Sequence, residues 1–368
     1  MSTRVERELR RLLALCFVLL ACSAAGWRSA GMPYRFSFPR DHGSHPAYRT
    51  EWWYFTGHLL ADDGHRYGFE LTIFRFGTEP GAPTPKPGES RWRVGEVFPA
   101  HFALTDDAAG RFTFAERIVR PTLGEAEAAR ETLDVHAQDW SIRGLDPIRL
   151  QAGTPEEGVS LSLRGSKPPA INGIDGISWK GSCSTCASHY YSMTRLEGDG
   201  TVRVGERRRR VRALVWMDHE FGSSELQANV VGWDWFALQL ADGREIMLYH
   251  LRRSDGTFIP ASSGTLVERD GTTRHLRNHD FSIAATGSWL SPHSHVRYPS
   301  GWILRVPMAH LAVRIVPRLR DQELAGDSVD YWEGDVCLKS VGGDESPTAC
   351  TVGEGYVELT GYAGEVPR

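Results

Sequence analysis

Lysine is scarce in this 368-residue chain: Lys86, Lys167, Lys180 and Lys339 stand against many arginines, an imbalance that reads as genomic composition. A strong charge of either sign is also missing. The formal net charge is -4, so neither general nucleic-acid binding nor attraction to anionic membranes has electrostatic support. No G-x-S-x-G elbow is present, and neither is the alternating strand–helix pattern that elbow requires, so a serine-hydrolase reading gets no support from motifs. Helical periodicity is nearly absent; Leu123–Leu133, rich in glutamate and alanine, is the one stretch that predicts a helix. Past residue 22 no apolar run is long enough to span a bilayer. No second cysteine pair with metal-type spacing accompanies Cys183-Ser184-Thr185-Cys186, so zinc is a poor second there to a local disulfide.

What is present starts with an export signal at residues 1–22. Arg4, Arg7, Arg10 and Arg11 give a positive start, and Leu12–Ala21 an apolar core too short to span. The core ends in Leu19-Leu20-Ala21-Cys22, which resembles a lipoprotein box with Cys22 as the lipidated residue. Ordinary cleavage near Ser23-Ala24-Ala25 is the alternative. Four cysteines remain after Cys16 and Cys22, an even number in an exported chain. Cys337 and Cys350 flank a turn and are expected to pair, as are Cys183 and Cys186.

The rest reads as strands. Tryptophan (12), tyrosine (11) and phenylalanine (15) recur beside Gly and Asp, a strand-and-turn composition. Short strand-like runs follow one another at Val94–Leu104, Phe112–Val119, Asp134–Ile142 and Val159–Leu163. Residues 165–188 read as a long loop. Asp63-Gly64, Asp199-Gly200 and Asp242-Gly243 read as hairpin turns. The aromatic hairpins at 52–75 and 232–253 share one plan: an aromatic strand, a Leu-Ala-Asp approach, an Asp-Gly turn and a strand ending in Arg. This self-similarity predicts two copies of one β-domain. The expected organisation is a signal at 1–22, one domain at 33–225 and a second at 226–368.

The chain is organised around Val215–Leu240. Asp218, His219 and Glu220 lie there beside Trp216 and Phe221, followed by Trp233, Asp234 and Trp235. Titratable groups crowded by aromatics build pockets and shift pKa values; a buried ion pair behind a core strand is the structural alternative. Strand alternation places Asp218 and Glu220 on one face and His219 on the other, and Asp234 opposite Trp233 and Trp235.

Five segments carry a family resemblance: FPRDHGSHPAYRTEWWYFTGHL at 38–59, SHYYSMTR at 188–195, WMDHEFG at 216–222, GWDWFALQL at 232–240 and GEGYVELTGY at 353–362. In this order they resemble the AttH-like family, which includes the carotenoid 1,2-hydratases. The resemblance implies an all-β chain of two lipocalin-like antiparallel β-barrels packed together. It does not choose a chemistry, because the family mixes activities.

Water addition to an isolated alkene needs a strong acid, aromatic faces to steady the developing cation, and a polar group to place the water. The expected catalytic residues are Asp218, His219 and Glu220, with Asp218 preferred as the acid. The expected ligand-binding residues are Trp52, Trp53, Tyr54, Tyr190, Tyr191, Trp216, Trp233, Asp234 and Trp235, gathered where the two domains meet. His42 is a further water-placing candidate. No cofactor is assigned; His42-Gly43-Ser44-His45 offers too few ligands to assign a metal. Two functions fit. One is an exported enzyme acting on an extended hydrophobic molecule. The other is a non-catalytic lipoprotein that holds such a molecule for a transporter or an envelope process.

Overall fold

The computed structural model describes residues 26–80, 94–223, 226–326, 330–343 and 350–364. Among them there is no α-helix, only three 3-10 turns and many strands. The signal segment, Cys22 included, lies outside the described residues.

Strands from Thr50 to Gly222 form one antiparallel sheet, and strands from Val230 to Leu359 a second, apart from the small separate ribbon of Ser288–Leu290 and Arg297–Pro299. Each sheet follows the same rule. Its first strand pairs with the next through an Asp-Gly hairpin and with the last strand of its own sheet on the other side. Thr50–Ala61 lies between Arg66–Gly77 and Arg207–Gly222, and Val230–Leu240 between Glu245–Arg253 and Gly353–Leu359. Bringing the last strand back to the first curls each sheet around its own apolar core, a near-barrel and a half-barrel, as the two lipocalin-like barrels require. Trp53, Phe55, Phe69, Tyr191 and Met217 fill the first core; Phe236, Leu248, Trp302 and Val357 fill the second. Tyr54, Tyr190, Trp216, Trp235, Tyr249 and Tyr356 form a third cluster with residues of both sheets.

Asp63-Gly64 and Asp242-Gly243 make the predicted turns, with Gly64 at φ +86 and Gly243 at φ +87, where glycine carries no Cβ penalty. Asp199-Gly200 does not. Ala187–Val204 runs through it as one strand, and the turn comes at Gly205, φ +58. Gly198 and Gly200 serve close strand approach instead: a Cβ at either would stand 2.0 and 2.1 Å from the carbonyl oxygens of Ser162 and Ser160. The predicted helix at Leu123–Leu133 is likewise absent. A 3-10 turn, Thr122–Gly124, gives way to the strand Ala126–Ala128, which pairs with Val135–Ala137; sheet pairing overrides local propensity. Asp134–Ile142 is two strands, broken at Gln138 with φ +57. The 165–188 stretch contributes two short strands, Ala170–Ile171 and Ser178–Trp179, to the edge of Ala187–Val204. Cys183 and Cys186 are brought together with Cα atoms 5.2 Å apart, and Cys337 and Cys350 with 5.0 Å.

Candidate functional site

Three neighbouring strands of the first sheet carry most of the predicted residues. Their register sets Trp53, His219 and Tyr191 in one row, Tyr54, Asp218 and Ser192 in the next, and Trp52, Glu220 and Tyr190 on the other side. Adjacent rows face opposite ways. The predicted set therefore divides. Trp52, Tyr54, Tyr190, Trp216, Asp218 and Glu220 face the second sheet, while Trp53, Tyr191 and His219 face the interior of the first.

The gap between the sheets is acidic and aromatic. Asp218 is buried, and its carboxylate accepts hydrogen bonds from Tyr190 Oη (2.5 Å), Ser192 Oγ (2.5 Å) and Trp216 Nε1 (2.7 Å). Burial outweighs those three donors and pushes Asp218 up to about 7. Glu220 accepts from Ser188 and lies 3.1 Å from the Lys180 ammonium, which sits 4.2 Å from the Tyr249 ring centre. From the second sheet come Trp235, whose Nε1 donates to Tyr190 Oη (3.2 Å), and Trp233, whose Nε1 donates to Glu358 (3.0 Å). Tyr54 meets Trp235 edge-on at 5.2 Å, so the two matching aromatic strands do face each other. Burial pushes Glu358 up to about 8. Tyr54 also donates across the gap to Glu333, and burial holds Glu333 and Glu70 well above the usual carboxylate range. One oxygen of Glu70 has no hydrogen-bond partner among the described residues.

At the rim of this packed cluster Trp52, Trp233 and Glu358 keep part of their surface accessible, and the Lys180 side chain remains 17% exposed. Asp234 points away from the gap, as alternation predicted. It is paired with Arg252 and accepts a hydrogen bond from Tyr362 Oη (3.0 Å), a buried structural link rather than part of the cleft.

On the inner face, Glu51 is fully buried. It accepts hydrogen bonds from the His45 backbone N–H (2.9 Å) and Arg75 Nε (2.9 Å), and its Oε1 lies 2.8 Å from His45 Nδ1 and 2.9 Å from His219 Nε2. Burial opposes its charge, yet His219, His45 and Arg75 hold it well below the usual range. Tyr191 Oη bridges His219 Nδ1 (3.1 Å) and His42 Nδ1 (2.7 Å), and burial brings His42 down to about 4. Trp53 stacks on His219 at 4.8 Å.

The profile of AttH-like proteins matches residues 29–362. The chain belongs to the AttH-like family. A crystal structure of a protein assigned as AttH from Nitrosomonas europaea is 30% identical, with TM-score 0.77, over 89% of this chain and 98% of that one. Kievitone hydratase from Nectria haematococca has the same fold at 13% identity, with TM-score 0.66, over 91% of this chain and 95% of that one. No curated protein matches the sequence.

Several residues of this AttH-like chain escaped the sequence reading. Glu358 stood inside the GEGYVELTGY segment, but only its pairing opposite Trp235 puts it in the cleft. Glu70, Glu333 and Lys180 lie in ordinary strand or loop sequence, with no local signal. Glu51 sat in a quoted segment, on the face alternation gave it beside Trp53; its partners His45 and Arg75 are visible only in the fold.

Proposed function

We propose that this AttH-like protein binds an extended, largely apolar molecule, isoprenoid or lipid-like, between its two sheets and adds water across a carbon–carbon double bond. The observation that carries the reading is Asp218: an acid that keeps its proton near neutral pH, set among Trp216, Trp235, Tyr54 and Tyr190. The shared fold with kievitone hydratase supports a hydratase-like role.

In this reading the Asp218 carboxyl gives its proton to one alkene carbon, and positive charge develops on the other. The aromatic faces of Trp235 and Tyr190 steady that charge. A water molecule held by Glu220 then bonds to the cationic carbon and releases a proton to Glu220. Solvent exchange returns a proton to Asp218, so the sum is alkene plus water. The protein works outside the cytoplasm, tethered at Cys22.

One observation favours the non-catalytic reading: both oxygens of Asp218 are already engaged by three donors. Tryptophan-fluorescence titration with polyenes, isoprenoids and fatty acids separates the accounts. Saturable quenching is expected in wild type and is expected to be weakened by Trp233→Ala. No saturable response from any of these ligand classes would end the cleft assignment.

A further inference from the structure

The geometry points to a divalent transition-metal site on the inner face of the first sheet, formed by His45 Nδ1, Glu51 Oε1 and His219 Nε2. It lies on the side of the sheet opposite the cleft and stands independently of the hydration reading.

Three ligand atoms converge there. All lie within 4.8 Å of one another and all three residues are buried. Two imidazoles and a carboxylate are a donor set for zinc and neighbouring divalent ions. Tetrahedral zinc holds such ligands roughly 3.3 Å apart, given bonds of about 2.0–2.1 Å. The 2.8 and 2.9 Å contacts to Glu51 would open by about half an ångström to admit it, and the two histidine nitrogens, which lie within 4.8 Å of each other, would draw to the same spacing.

The surroundings strengthen the case. Metal-binding histidines use their second ring nitrogen to hold an outer partner, which fixes tautomer and orientation. Both histidines here have one. His45 Nε2 lies 3.4 Å from Asp41 Oδ1, and His219 Nδ1 lies 3.1 Å from Tyr191 Oη. Tyr191 in turn reaches His42 Nδ1 at 2.7 Å. With His219 Nδ1–H donating to Tyr191, and Tyr191 to His42, the Nε2 lone pair of His219 faces Glu51. With His45 Nε2–H donating to Asp41, the Nδ1 lone pair of His45 faces the same carboxylate oxygen. In that tautomer two lone pairs meet the Glu51 oxygen that also accepts the His45 backbone N–H at 3.0 Å, and a cation would sit between them; in the opposite tautomer the two imidazoles donate to Glu51 instead. Arg75 does not fill that point: its Nε holds the other oxygen of Glu51 and its Nη1 holds Glu96 at 2.9 Å. The competing account fills the point with protons, as a plain hydrogen-bonded network.

The test uses the mature protein, stripped with a chelator and dialysed against Zn(II) or Co(II). One zinc per chain is expected, with a melting temperature that rises on loading and falls back on stripping. Cobalt is expected to give a ligand-field absorption band of a nitrogen- and oxygen-ligated ion. His45→Ala and His219→Ala are expected to bind zinc at least tenfold more weakly, and Glu70→Gln, in the cleft, to bind as wild type. Should the histidine variants fail to fold, the cobalt spectrum of wild type decides alone. Zinc content at background with an unmoved melting temperature, no cobalt band, or unchanged binding in folded histidine variants would each overturn the assignment.

Discussion

Asp218 and His219 are consecutive in the chain and serve opposite faces of one sheet: Asp218 bonds to Tyr190, Ser192 and Trp216 in the cleft, His219 to Glu51 and Tyr191 inside the first core. Their substitutions should therefore differ in kind. Asp218→Asn keeps the shape and a polar group that accepts hydrogen bonds, so chemical denaturation should show little loss of stability. His219→Ala removes a partner from a buried network and should cost about 1–3 kcal/mol. Equal destabilisation by both would argue that Asp218 is structural.

Glu51 is the pivot of the inner network. Glu51→Ala would leave the buried Arg75 guanidinium with Glu96 as its remaining acidic partner. Losing one partner of a buried ion pair typically costs about 3–5 kcal/mol. Urea unfolding of this variant should show a loss of that size, and a loss under about 1 kcal/mol would contradict the network as described.

The raised acids fix the sign of a pH effect. Asp218 at about 7 and Glu358 at about 8 hold protons in the folded protein that the unfolded chain releases near pH 4. Their contribution to stability is complete below that range and disappears as pH rises through 7 and 8. Glu51 and Asp41, held low, act with the opposite sign, and only at acid pH. Melting temperature should thus fall between about pH 6.5 and pH 9, above the interval in which the lowered histidines His42 and His250 act with the opposite sign, and less steeply in Asp218→Asn. A melting temperature that climbs over this interval would contradict the assignment of neutral buried acids.

Export makes a separate claim. The two close cysteine pairs should be disulfides in protein recovered from the cell envelope. Closing the 13-residue span from Cys337 to Cys350 is worth about 3 kcal/mol, lost on reduction. A fatty-acid analogue should label wild type and not Cys22→Ala. Four free thiols in unreduced protein, or equal labelling of both chains, would contradict these assignments in turn.

Much of this was legible in the sequence, and the reasons are local. Strand alternation alone separated Asp218 and Glu220 from His219, and Asp234 from its flanking tryptophans. The repeated aromatic hairpin announced two similar sheets. Local chemistry failed where distant strands decided the outcome. Asp199-Gly200 looks like Asp63-Gly64, but its glycines make room for the strand Glu157–Gly165. Glu358 reaches Trp233 across 125 residues, and nothing near either residue fixes that strand order. The mutual contacts of His45, Glu51 and His219 likewise depend on which strand lies beside which.

The most direct measurement is turnover in oxygen-18 water. Polyene and isoprenoid alkenes that quench the cleft tryptophans are incubated with wild type and Asp218→Asn, and the products are weighed by mass spectrometry. Wild type should add one labelled water per double bond, with kcat/KM falling as pH rises past about 7, where Asp218 loses its proton. Asp218→Asn should bind the same alkenes and lose at least a hundredfold in rate, the lower end of general-acid contributions of about 10²–10⁴. Bound alkenes recovered unlabelled from wild type, or equal label from both proteins, would contradict hydration driven by Asp218.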